Sequence, residues 1–170
     1  MNDPNERITK GLLRAIQAES DGENFYRMAA SSTNDERGKA TFLRLAEEER
    51  EHIEFLTHQY NHFLETGKPD LNKTLSKPSS FEGSHPIFSE KLKDRIEEAH
   101  MEMSALSIGI QLELNAINFY KTQATEIENQ AVKKFFRELV DWETGHYHAL
   151  LRQQESLKED YWSASGFAPF

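Results

Sequence analysis

An internal repeat restricts the fold more than any other feature of this chain. Shifting the sequence against itself by 94 residues aligns residues 11–56 with 105–150 without a gap, and 14 of the 46 aligned pairs are identical. Leu12/Leu106, Ile16/Ile110, Phe42/Phe136, Leu45/Leu139 and Leu56/Leu150 are apolar and would coincide in any two amphipathic helices. Glu19/Glu113, Tyr26/Tyr120, Glu49/Glu143 and His52/His146 are not explained that way. The chain is therefore read as two copies of one unit, each carrying the same polar residues at the same heights.

Each copy reads as a pair of helices. Apolar residues recur at helical spacing in four segments, about Pro4–Ser31, Asp35–Glu65, Ser89–Glu126 and Asn129–Glu159, and none alternates as a strand does. Pro4 suits a first helical position after Asp3. The first segment carries Ile8, Leu12, Ala15, Ile16, Ala18 and Phe25 as its stripe, and the second Phe42, Leu45, Ala46, Ile53 and Leu56. The third is expected to break near its start. Short polar links at Ser32–Asn34 and Ile127–Gln130 make antiparallel neighbours. The Gly/Pro/Ser-rich stretch from Gly67 to Phe88 is long enough to run the length of a bundle. The expected fold class is all-α: an antiparallel four-helix bundle of ferritin-like topology, two helical hairpins joined by one long crossover. Residues 1–160 form that domain, and the tail 161–170, YWSASGFAPF, is expected to be a non-helical aromatic strap on the bundle or on a second subunit.

Residues level with one another in an antiparallel hairpin have their sequence midpoint in its turn. The midpoint of Glu19 and Glu49 is Asn34, and that of Glu113 and Glu143 is Glu128, both in expected turns. Each carboxylate then lies about 15 residues, or ~22 Å, from its turn. All four reach a common mid-bundle level. In a helix, i and i+3 share a face, so Glu49 with His52 and Glu143 with His146 can point inward together. Four carboxylates in an apolar core would repel and lose their hydration, whereas two divalent cations match their charge. One Glu from each of two helices plus a Glu-x-x-His from each of the others is the di-iron or di-manganese carboxylate pattern. Glu19, Glu49 and His52 are assigned to one ion and Glu113, Glu143 and His146 to the other, with Glu49 and Glu143 bridging. Two ions per chain are expected, iron with manganese as the alternative, because oxygen and nitrogen donors without sulfur disfavour copper.

A lone Glu-x-x-His carries little information. Glu82/His85 and Glu97/His100 repeat the motif outside this level and are read as surface coincidences. Tyr26 and Tyr120, two turns after Glu19 and Glu113 on the same face, are candidate catalytic residues, as donors to a ligand carboxylate or as redox-active phenols; ordinary core aromatics are the competing reading. Glu23 is a weaker candidate, since its counterpart is Ile117. Glu48 is placed to orient a ligand histidine, while its counterpart Trp142 cannot accept a hydrogen bond, which makes that support asymmetric. His58 and His62 are read as solvent-facing.

Composition removes whole classes of function. Asp+Glu 29 against Lys+Arg 20, a net charge of −9, argues against nucleic acid or an anionic membrane as partner. Zero cysteines exclude disulfides, iron–sulfur clusters and a cysteine nucleophile. No apolar run approaches the roughly 20 residues that span a bilayer, and MNDPNERITK lacks an apolar signal segment. A cytoplasmic location is expected.

On the two Glu…FY blocks and both Glu-x-x-His motifs, over about residues 5–155, the sequence resembles the rubrerythrin-like branch of the ferritin-like superfamily. That resemblance implies a four-helix bundle with a non-haem di-iron site, often dimeric, an oxidoreductase of peroxidase-like or ferroxidase-like type. A homodimer is expected from it, with hydrogen peroxide or oxygen as oxidant and an external electron donor protein, since no cysteine-ligated rubredoxin domain is present. The family's further glutamate one turn after the helix-three ligand is here Ala116. The methionine that holds haem in bacterioferritin is here Arg50, so no haem is expected. The leading function is reduction of peroxide or oxygen; the alternative is iron handling, by Fe(II) oxidation and binding or storage.

Overall fold

Asp35 and Asn129 start two of the helices and thereby define both hairpins. The Asp35 side chain accepts the backbone N–H of Gly38 at 2.8 Å, and that of Asn129 accepts those of Ala131 and Val132. Each satisfies donors that a helix N-terminus leaves without an intrahelical partner. The computed structural model describes residues 4–76 and 86–166, and all regular structure among them is helical. In chain order these are α1 (Pro4–Ser32), α2 (Glu36–Thr66), a four-residue α3 (Glu90–Lys93), a 3-10 turn (Ile96–Glu98), α4 (His100–Glu126) and α5 (Gln130–Ala164). The chain forms the expected four-helix bundle: α1 packs along α2, α4 along α5, and the hairpins approach each other most closely through α1 and α4.

The crossover leaves α2 at Gly67, whose φ of 69° takes the left-handed conformation that ends the helix. It is then pinned along the bundle. Gln59 exchanges hydrogen bonds with the backbone of Asp70, Trp142 Nε1 donates to Ser76 O, and Ile87 N donates to Gln153. At the far end Ser89 donates to Asp35, so one carboxylate both caps α2 and anchors the returning chain. Gly38 is required there, because a Cβ would lie 2.5 Å from the Phe88 ring. The crossover therefore returns to the end of the bundle where α2 began.

The expected break in the third segment is present: α3 and the 3-10 turn bury Leu92 and Ile96 before α4 starts. The expected tail is corrected. Between Glu159 and Gly166 no residue breaks a helix, so α5 continues through Tyr161 and Trp162 to Ala164, and Gly166 (φ 66°) stops it. Tyr161 and Trp162 thus lie on the helix, 36% and 37% exposed. Residues 167–170 lie outside the described residues.

The apolar interior is divided. One cluster, around Tyr26, Phe42, Phe88, Leu106, Leu150 and Leu157, fills the α1–α2 turn end. A second, around Leu12, Leu56, Tyr120, Phe135, Phe136 and Leu139, fills the α4–α5 turn end. Between them lies a layer of buried carboxylates and imidazoles.

Candidate metal centre

Glu19, Glu49, His52, Glu113, Glu143 and His146 are each 3% exposed or less. Their donor atoms form two groups, Glu19, Glu49, His52 and Glu143, and Glu49, Glu113, Glu143 and His146, with the atoms of each group within 4.8 Å of one another. Glu49 and Glu143 belong to both groups, the placement a bridging carboxylate needs. The six residues expected from the repeat thus meet at one level.

Both histidines turn the same ring nitrogen inward. His52 Nδ1 lies 3.1 Å from Glu19 and from Glu143 and 3.6 Å from Glu49. His146 Nδ1 lies 3.3 Å from Glu49, 3.6 Å from Glu113 and 3.2 Å from Glu143. The two rings are 6.2 Å apart. Glu143, 1% exposed, has only the inward nitrogens of the two histidines, at 3.1 and 3.2 Å, beside its oxygens among the described residues. A buried carboxylate in that condition is costly unless a cation accepts its lone pairs. Four carboxylates and two imidazoles, without sulfur, fit a pair of divalent ions such as iron or manganese.

Balanced by protons alone, the same six groups adopt a definite charge pattern. Burial raises Glu19 and Glu113 well above the usual carboxylate range, and the nearby charges of Glu143 and Glu49 add to it. Burial acts on Glu49 and Glu143 in the same direction, and the charge of Glu49 adds to it at Glu143, yet both are lowered: Glu49 by its hydrogen bond with Glu19 and then by both histidines, Glu143 by both histidines. For His52 and His146 burial would lower the imidazole, yet the surrounding carboxylates raise both well above the ordinary value. Without ions, protons are thus favoured on Glu19, Glu113, His52 and His146 over Glu49 and Glu143. Fully ionised, the four carboxylates carry a formal charge that two divalent cations match.

Each tyrosine reaches across the repeat. The Tyr26 hydroxyl donates to Glu113 and that of Tyr120 to Glu19. Helix side chains lean toward the N-terminus of their own helix, so a long phenol two turns past one glutamate reaches back to the shared level and meets the glutamate of the facing helix. Burial raises both phenols, as do the adjacent carboxylates, so both keep their protons and act as donors. Glu48 Oε2 lies 2.7 Å from His146 Nε2, and Trp142 packs edge-on to His52 with ring centroids 4.8 Å apart. The support is asymmetric in the way the Glu48/Trp142 pair indicates.

The remaining sequence candidates fall outside the cluster. Glu23 pairs with Arg27 on the surface side of α1. Glu97 and His100 are exposed, His58 is exposed and bonded to Asp70, and His62 is half-buried rather than solvent-facing, because it lies against the His58 ring. Glu82 and His85 lie outside the described residues. A buried acid that sequence reasoning missed, Glu102, accepts from Thr33 at 2.8 Å and ties α4 to the α1–α2 turn. Its only signal is a position on the inner face of α4.

Between α1 and α4 a cavity of about 20 Å³ opens beside the four carboxylates, walled by Ala18, Gly22, Leu112 and Ala116. That is room for about one water molecule or a small oxidant. Among the described residues no helix is long and apolar enough to cross a membrane.

The family model described as Rubrerythrin matches residues 10–152, and a second match covers 104–165, which takes in the whole of the second repeat. No curated protein and no solved structure gave a significant match. With the family match spanning most of its length, and the repeat bringing Glu and Glu-x-x-His motifs into one buried layer, the chain belongs to the rubrerythrin family.

Proposed function

We propose that this chain is a non-haem di-iron redox protein that reduces hydrogen peroxide, or oxygen, with electrons from an external carrier protein. The observation that carries the reading is the buried Glu₄His₂ layer in which Glu49 and Glu143 belong to both donor groups. Glu19 and His52 would hold one ion and Glu113 and His146 the other, with Glu49 and Glu143 shared between the two donor groups. Bound there, two ferrous ions would supply the two electrons that, with two protons, convert peroxide to two waters.

The rest is done by the protein. The apolar clusters above and below exclude bulk water from the layer. The terminal carboxylates Glu19 and Glu113 are held in place by hydrogen bonds from Tyr120 and Tyr26, which makes the tyrosines positioning groups for the reaction. The small side chains at Gly22 and Ala116 leave the α1–α4 face open to a molecule the size of peroxide. His52 and His146 lie on the α2–α5 side, away from that approach. A homodimer and a cytoplasmic location belong to the same proposal.

Stopped-flow mixing of the di-ferrous protein with peroxide and with oxygen tests this reading, followed by a ferrous-chelator assay on re-reduction. Faster reaction with peroxide and retention of iron are expected. Faster reaction with oxygen and release of iron at each cycle would place the protein among iron-handling proteins. Anomalous scattering at the iron and manganese edges identifies the ions.

A further inference from the structure

The repeat pairs every residue of the donor layer with an identical mate, but the position behind the histidines differs: it holds Glu48 in one copy and Trp142 in the other. Glu48, buried, takes the Nε2 side of His146 at 2.7 Å while Arg44 Nε holds its other oxygen at 3.3 Å. Trp142 stands against His52 at an interplanar angle of 82°, and its one polar atom is directed away, donating to Ser76 O at 3.2 Å. An indole offers no acceptor. His52 Nε2 is buried and makes no hydrogen bond among the described residues.

We propose that Glu48 is a positioning residue that makes the two cation positions unequal, so that the Glu113/His146 position fills first and the Glu19/His52 position is the exchangeable one. This rests on the di-metal reading above. An acceptor behind a ligand imidazole places the ring proton on Nε2, keeps the Nδ1 lone pair aimed at the ion and fixes the ring plane. His146 has that acceptor, whereas His52 is held by an aromatic edge that fixes its plane but not its proton. Glu49 and Glu143 are shared by both positions and Glu19 and Glu113 each carry one tyrosine, so nothing within the layer offsets the difference.

Cobalt(II) titration of the full chain, followed by visible absorption and calorimetry, tests the proposal. The wild-type chain is expected to bind two ions in two resolved steps. Glu48→Gln, which keeps the shape but removes the charge, should weaken the first step roughly 10- to 100-fold and leave the second in place. In the zinc-loaded, ¹⁵N-histidine-labelled protein, the Nε2 proton of one histidine should resonate far downfield, and Glu48→Gln should move that signal alone; a merely structural role would not select one ring. Circular dichroism of both proteins establishes that the variant is folded, and Glu48→Asp provides a second variant that keeps the charge and should retain two separated steps. Equal steps in the wild type, or equal weakening of both steps by Glu48→Gln, would overturn the proposal while leaving two-ion binding intact. Absence of cobalt binding by the wild type would overturn the di-metal reading itself and the proposal with it.

Discussion

Removing the ions should make the stability of the folded chain fall steeply as pH rises. Glu19 and Glu113 are raised above the ordinary carboxylate value of 4.5, and His52 and His146 above the ordinary 6.5. A group raised on folding contributes its full stability below its unfolded pKa and loses it as pH climbs through the folded value. Above about pH 4.5 the folded apoprotein therefore keeps protons on Glu19 and Glu113 that the unfolded chain releases, and above about 6.5 on His52 and His146 as well, until pH passes each folded value. Each proton so held steepens the fall by about 1.4 kcal/mol per pH unit, so the slope should be steeper above about pH 6.5 than below it. Glu49 and Glu143, lowered on folding, have the opposite sign: their contribution is present above 4.5 and lost as pH falls below it. The apoprotein should thus be most stable near pH 5. A domain with a total stability of about 5–15 kcal/mol would exhaust it within a few units. Urea unfolding with a chelator present, at four pH values between 5 and 8, measures the slope. Loading two ions should release about four protons to a dye indicator at neutral pH and remove that loss. A flat or rising apoprotein profile would refute the charge assignment of the layer.

Glu49→Ala combined with Glu143→Ala should abolish nearly all bound metal by elemental analysis, whereas Glu97→Ala combined with His100→Ala, both at exposed positions, should leave it unchanged. Tyr26→Phe and Tyr120→Phe each remove a buried donor from a carboxylate, and each should lower stability by about 1.5–3 kcal/mol in denaturant unfolding. Gly22→Val with Ala116→Val should fill the α1–α4 cavity and slow peroxide consumption in stopped flow while metal content stays at two ions per chain; an unchanged rate would place the approach elsewhere.

The level of the four glutamates was legible because helix rise is constant and both turns are short: once Asn34 and Glu128 are identified as midpoints, little freedom remains. The identity of the ligand atoms was not legible. Which ring nitrogen of His52 and His146 faces inward depends on side-chain rotation about the helix, not on spacing. The tyrosines were placed on the correct face, but their partners follow from the register of α1 against α4, a tertiary quantity that neither hairpin contains by itself. The end of α5 lies beyond the expected Glu159 because aromatic residues at 161 and 162 resemble a packing strap, whereas the helix continues to Ala164, just before Gly166 with its positive φ. Asp35 reads as an N-cap from sequence, but its second role at Ser89 depends on where a long crossover returns.

The division of the interior into two apolar clusters has a bearing on cooperativity. Each cluster is centred at a different turn, and the layer between them is largely polar. Four helices pass through that layer, and polar side-chain coupling across it runs through the Tyr26–Glu113 and Tyr120–Glu19 bonds, Glu49, Glu143 and whatever balances their charge. With ions bound, the layer acts as a rivet and the molecule should open as one unit. With protons in their place, the two ends can open separately, each as its own foldon, and backbone amides near Phe42 and near Phe136 should exchange with solvent at different free energies. A bound ion pair would then govern the grain size of unfolding as well as redox chemistry.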